Sequence, residues 1–170
     1  MPIIVDGYNL LFAFAGVHGY KIPKELEAAR KDLLQTLGTY QHAVRQQITV
    51  VFDDRSGDAS FTRSEKAGRI DVVFVRSDSD ADSEIKRMVD ESSAPKRLRV
   101  VSSDRAVRGA AERRKAESVP AGAFIEELAK TLQRRRSKLP PEPPAKFHGP
   151  SQAEVDYWMR IFGESETKSD

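Results

Sequence analysis

Short apolar runs in this chain stop at aspartate. Ile3-Ile4-Val5 is followed by Asp6, Val50-Val51-Phe52 by Asp53, and the run ending at Val101 by Ser102-Ser103-Asp104. Runs rich in β-branched and aromatic residues read as buried strands. In a parallel α/β sheet, ligands bind at the carboxyl ends of the strands. A fourth carboxylate, Asp82, opens a helical stretch. Four carboxylates converging on one sheet edge suit a divalent cation held against a phosphate, because like charges that close repel unless a cation intervenes.

The intervening residues supply the crossovers. Residues 24 to 45 read as a helix, with Leu26, Leu33, Leu34, Leu37 and Val44 at helical spacing. Ile48 to Phe52 is a second strand, and residues 55 to 69 a polar connection without a clear period. Ile70 to Val75 is a third strand, whose direction is open because no obvious helix precedes it. Ser77 to Asp80 is a turn into a helix carrying Ile85, Met88 and Val89, ended by Pro95. Leu98 to Val101 is a fourth strand, 105 to 116 a short helix, 117 to 119 an edge strand and 121 to 136 a final helix. This alternation predicts an α/β domain, mainly a parallel sheet with helices on both faces.

The expected organisation is an α/β domain over 1–137, a Pro-rich linker over 138–150, and a C-terminal helix with a polar tail over 151–170. The linker carries five prolines between Leu139 and Pro150. Ser151 to Glu154 fits a capping box, and Val155, Trp158, Met159, Ile161 and Phe162 follow it. That apolar surface should dock on the domain or on a partner.

Net charge is only +2, but it is unevenly spread. Residues 96 to 138 hold 13 Lys/Arg against 5 Asp/Glu, and residues 53 to 91 hold 11 Asp/Glu against 7 Lys/Arg. Such asymmetry suits a protein that gathers a polyanion and grips a cation, although solvated helix faces give the same counts. No apolar run is long enough to span a bilayer, and no signal peptide is expected. With no cysteine there is no disulfide, zinc-thiolate site or thiol nucleophile, and a reducing cytoplasm is the default location.

Each candidate residue also has a purely structural use. Asp6 before Gly7 can cap a turn, and Asn9 can cap it or orient a carboxylate or phosphate. Asp53 follows the apolar run directly and is preferred over Asp54. Asp82 and Glu84 can complement a helix N-terminus, a role that Asp78 and Asp80 fit better. Asp104 can cap the helix that carries Arg105 and Arg108, whose free N–H groups suit a phosphate. An oxygen-only site suits Mg²⁺ or Mn²⁺. Other chemistries lack their motifs: there is no glycine-rich nucleotide loop, Tyr8 breaks an Asp-x-Asp pattern, and His18, His42 and His148 have no metal-site spacing. No serine sits in a nucleophile elbow.

The string Ile4-Val5-Asp6-Gly7-Tyr8-Asn9-Leu10 resembles the opening of the NYN domains of the PIN-like nuclease superfamily, specifically the YacP-like group. Val50 to Asp53, Ala81 to Ile85 and Val101 to Asp104 agree with it in order, over about residues 2 to 130. The tail helix also resembles the end of that group's members. The segment between Asp104 and the last helix is shorter here, so no substrate contacts are carried over there.

The resemblance implies a Rossmann-like PIN sheet and a Mg²⁺- or Mn²⁺-dependent endoribonuclease, acting in some members on mRNA at the ribosome. It places Asp6, Asp82 and Asp104 at the metal positions, Asn9 and Ser103 at polar positions beside them, and Asp53 at a further acidic one. Catalytic roles are then expected for Asp6, Asp82, Asp104, Asn9 and Asp53, and a substrate contact for Ser103; Arg105 and Arg108 are expected to contact a nucleic-acid backbone from their place on the helix after Asp104, not from the resemblance. RNA is the expected partner, with the ribosome a further one. No membrane is implied, and a monomer is the simpler expectation. The alternative is a non-catalytic RNA-binding or ribosome-associated module.

Overall fold

A computed structural model describes residues 1–53, 62–76 and 79–138. Asp54, Asp78, the Pro-rich linker and the Trp158 helix lie outside the described residues.

Six strands form one sheet: β1 (Ile3–Asp6), β2 (Ile48–Asp53), β3 (Arg63–Ala67), β4 (Ile70–Val75), β5 (Arg99–Val101) and β6 (Glu117–Val119), in the order β3-β4-β2-β1-β5-β6. The helices are α1 (Gly7–His18), α2 (Leu26–Val44), α3 (Ala81–Glu91), α4 (Arg105–Arg113) and α5 (Ala121–Lys138). All pairs are parallel except β3–β4. The third sequence-expected strand, β4, therefore runs parallel to β2, with Thr49 opposite Asp71 and Asp53 opposite Val75.

The strand period sorts the apolar side chains into two cores. Ile3, Val5, Val50, Phe52, Val72 and Phe74 face α1, α2 and α5. Ile4, Val51, Val73 and Val75 face α3 and α4 with Ile85, Val89 and Val107. Burying each such side chain contributes about 1.5–3 kcal/mol before entropy is counted. On the α2–α5 side, fully buried Tyr40 stacks edge-on to Phe124 and donates its hydroxyl to Glu127 at 2.6 Å. Arg99 joins Glu127 to Glu117 and so ties β5 to β6 and α5.

Two elements differ from the sequence reading. Residues 7–18 form α1, which begins directly at Asp6. It packs the face of Gly7, Leu10, Leu11, Phe14 and Ala15 on the sheet, α2 and α5, while exposed Phe12 and Val17 make its other face apolar as well and erase the period. Inside the polar connection, Arg63–Ala67 forms β3, an exposed edge strand returned onto β4 through Gly68 at φ +63°. Its charged surface is what an unpaired edge requires. Among the described residues no helix is long and apolar enough to cross a membrane.

Chain direction across the sheet reverses beside β1: the chain moves to β2 and β4 on one side, then crosses to β5 and β6 on the other. The carboxyl ends of β1 and β5 thus border the crevice that doubly wound sheets use for ligands.

Candidate active site

Asp6 closes β1 and caps α1. Its Oδ1 accepts the Asn9 N–H at 3.1 Å, and its Oδ2 accepts the Ser102 hydroxyl at 2.8 Å. It is only 6% exposed. Burial holds its carboxyl above the usual carboxylate range; the Ser102 and Asn9 hydrogen bonds oppose that, and Asp53 and Asp104 add to it. The tight turn after Asp6 depends on Gly7. A Cβ there would lie 2.5 Å from the ring of fully buried Phe52, so the strand can enter α1 only without a side chain at this position.

Ser102 is the part of the site that sequence reasoning passed over. It is fully buried just beyond β5, donating to Asp6 and accepting the Asp104 N–H at 3.0 Å. One hydroxyl thereby fixes two carboxylate-bearing residues that lie 98 positions apart in sequence. Asn9 forms a second tie between the same segments: its side-chain oxygen accepts the Ser103 N–H at 3.0 Å. Ser103 in turn accepts the Ala121 N–H at 3.1 Å, anchoring the start of α5.

Asp104 caps α4, with Oδ1 accepting from Ala106 N–H at 2.7 Å and Val107 N–H at 3.0 Å. Its other oxygen accepts no hydrogen bond among the described residues. Asp82 lies half-buried in the first turn of α3, and its carboxylate likewise accepts none. Burial, then Asp104 and Asp6, push the Asp82 carboxyl up, while Lys86 opposes. Asp80 takes the capping role, accepting the Ser83 N–H at 2.6 Å. Asp53 sits beyond the end of the β2 core and accepts the Ala81 N–H at 2.6 Å, which locks the start of α3 against the sheet.

Asp6 is repelled by Asp53 and Asp104, and Asp82 by Asp104 and Asp6, so these carboxylates lie near one another at the strand ends. The starts of α1, α3 and α4 lie at the same strand ends, and their N–H dipoles partly offset that charge. Other candidates turn elsewhere. Glu84 is paired with Arg87. Arg108 donates to the Ser118 hydroxyl at 3.1 Å and faces Glu112, so it points toward β6. Arg105 is exposed at the first position of α4.

Among the described residues no three His, Asp or Glu groups stand together as a ready-made metal cage. The donor chemistry nevertheless fits a hard divalent cation. The set is oxygen-only, among the described residues Asp82 and one Asp104 oxygen carry no donor, and a cation would relieve the carboxylate repulsion that adds to burial in raising Asp6 and Asp82.

Comparison with known proteins identifies the family and the fold. The profile of the YacP-like NYN domain matches residues 3–153. YacP of Bacillus subtilis (strain 168) is 26% identical over 149 residues, spanning 84% of this chain and 85% of that protein. The crystal structure of Rae1 (YacP) from Bacillus subtilis superposes with a TM-score of 0.66 at 22% identity, over 100% of this chain and 99% of that one. A tryptophan-to-leucine mutant of Rae1 gives 0.66 at 23% identity, over 80% and 79%. The structural likeness establishes the shared fold. The family match, covering nearly the whole sheet and all four carboxylates, supports a nuclease-type, RNA-related role. This chain belongs to the YacP-like NYN domain family.

Proposed function

We propose that this chain is a divalent-metal-dependent endoribonuclease that hydrolyses RNA phosphodiester bonds, with mRNA at the ribosome as a candidate substrate. The observation that supports the reading is the mutual repulsion of Asp6, Asp82 and Asp104, which come from three separated segments to the carboxyl ends of the strands. Those three residues would hold Mg²⁺ or Mn²⁺, with Asp53 beside them. The bound ion would supply an acidified water as nucleophile and charge stabilisation for the leaving 3′-oxygen. Ser102 and Asn9 hold Asp6 and the Asp104 segment in fixed relation, so the carboxylates meet the cation without reorganising. Arg105, exposed at the start of α4, would meet the RNA backbone, while the bonds that Arg108 and Ser103 make to Ser118 and Ala121 support positioning roles for those two. Products would carry 5′-phosphate and 3′-hydroxyl ends.

A second reading, an RNA-binding or ribosome-associated module without catalysis, is favoured by the lack of a ready-made three-ligand cage among the described residues. Cleavage of a labelled single-stranded RNA separates the two. The nuclease reading expects cutting with Mg²⁺ or Mn²⁺, none with EDTA, and loss in folded Asp6→Asn and Asp104→Asn. No cutting by the wild type, even with ribosomes and translated mRNA supplied, selects the binding module.

A further inference from the structure

The parallel register that gathers carboxylates at one end of the sheet gathers cations at the other. Gln47 precedes β2 and Arg69 precedes β4, and Thr49 pairs with Asp71, so these two residues lie side by side at the amino ends of their strands. The last turn of α2 brings Gln41 and His42 to the same place, Arg45 caps that helix, and Arg135 reaches it from α5. Together with Gln46 they line a cleft of about 710 Å³. It lies roughly 17–20 Å, the length of a strand such as β2, from the carboxylate crevice.

Its chemistry is one-sided. Three guanidiniums from three segments and His42 line it, and among the described residues no carboxylate does. Arg135 donates to the Thr39 carbonyl at 3.3 Å, and Gln47 is held by Asp71 at 3.2 Å. Arg45 and Arg69 make no side-chain bond among the described residues. Arg45 occupies a left-handed position, φ +55°, that glycine favours. Gln41 is only 8% exposed; its amide N–H donates to the Arg69 carbonyl at 3.1 Å, and its Oε1 has no partner. The Gln41 bond to Arg69 fixes the floor of the cleft between α2 and β4. The cleft therefore offers guanidiniums for an anion. Three of them from separate segments, spread over one cleft, suit successive phosphates of a nucleic-acid strand better than a single small anion.

We infer that this cleft is a second RNA-strand site, binding a nucleotide of the chain outside the segment that enters the carboxylate crevice. It rests on the RNA-related reading but not on catalysis. An RNA strand spanning both ends would be fixed in position by the cationic cleft while its scissile region meets the acidic one.

The test is equilibrium binding of a fluorescein-labelled, mixed-sequence single-stranded RNA of about 20 nucleotides to the full chain, in EDTA so that no cutting occurs. Single-stranded RNA loses about 0.7 of salt slope per phosphate contact removed. The Arg45→Glu/Arg69→Glu variant should bind about tenfold more weakly, with a salt slope shallower by about 1.4. Unaltered affinity and slope in the double-arginine variant, with its melting temperature retained, overturns the proposal. Full competition by AMP at low micromolar concentration reassigns the cleft to a free nucleotide and also overturns it. Wild type that cuts no RNA yet binds it through Arg45 and Arg69 upholds this proposal while refuting the nuclease reading.

Discussion

Ser102→Ala tests whether the site is one coupled unit. The hydroxyl is fully buried, donates to Asp6 at 2.8 Å and accepts from Asp104 N–H at 3.0 Å. A hydrogen bond to a charged group is worth about 1.5–3 kcal/mol, and a stranded N–H costs about 1–3 kcal/mol more. Asp104 is half-buried, so water can recover part of the second term. The expected loss is about 2–4 kcal/mol in urea unfolding in EDTA near neutral pH. Most of it should depend on the Asp6 charge. The folded chain already holds the Asp6 carboxyl above its ordinary value. Its ionisation therefore lowers stability above the folded pKa, and that penalty disappears as pH falls through it. Ser102 reduces the penalty, and its removal pushes the Asp6 carboxyl higher still. The deficit of Ser102→Ala should shrink on acidification from about pH 7 toward about pH 4. In an Asp6→Asn background the same substitution should cost at least about 1 kcal/mol less. Additivity of the two substitutions within about 0.5 kcal/mol, with a deficit constant across that pH range, would refute the coupling.

Three further outcomes follow from the same geometry. Gly7→Ala should destabilise by about 1–3 kcal/mol, read as a lower urea midpoint, because the new Cβ meets the fully buried Phe52 ring. Asp82→Asn in EDTA should raise the neutral-pH melting temperature slightly, by no more than about 0.5 kcal/mol in stability, because half-burial leaves its repulsion screened. That gain should fade at acid pH, where the raised wild-type carboxyl is already protonated, and added Mg²⁺ should stabilise the wild type but not the variant. Arg45→Gly should gain about 1 kcal/mol of stability by relieving φ +55°, measured by thermal melting, while weakening RNA binding.

What the sequence made legible is what local pattern can carry. Apolar runs ending at Asp6, Asp53 and Asp104 marked strand ends, and the sheet places those strands side by side. Three features escaped it, each for a physical reason. Helix α1 shows no amphipathic period in its sequence because exposed Phe12 and Val17 are as apolar as the buried face of Leu10, Leu11, Phe14 and Ala15, so its clearest local signal is the Asp6 cap. Strand β3 has almost no apolar residue and is specified by pairing with β4. Ser102 is one serine of two adjacent to Asp104, and its identity as a carboxylate partner exists only once β1 and β5 pair.

The two ends of the sheet show how a parallel fold divides charge. At the carboxyl ends, helix starts present N–H dipoles, and Asp6 and Asp104 can sit in a crowded acidic crevice because they cap those helices. At the amino ends, the helix that enters β2 presents its carbonyls instead. His42 and Arg45 there complement the negative pole of α2, and Arg69 and Arg135 join them across the strands. Each end alone has an ordinary structural explanation in capping. A polyanionic strand that carries cations to the acidic end and meets arginines at the basic end gives one explanation for both, and it is the kind of substrate that a nuclease-type family requires.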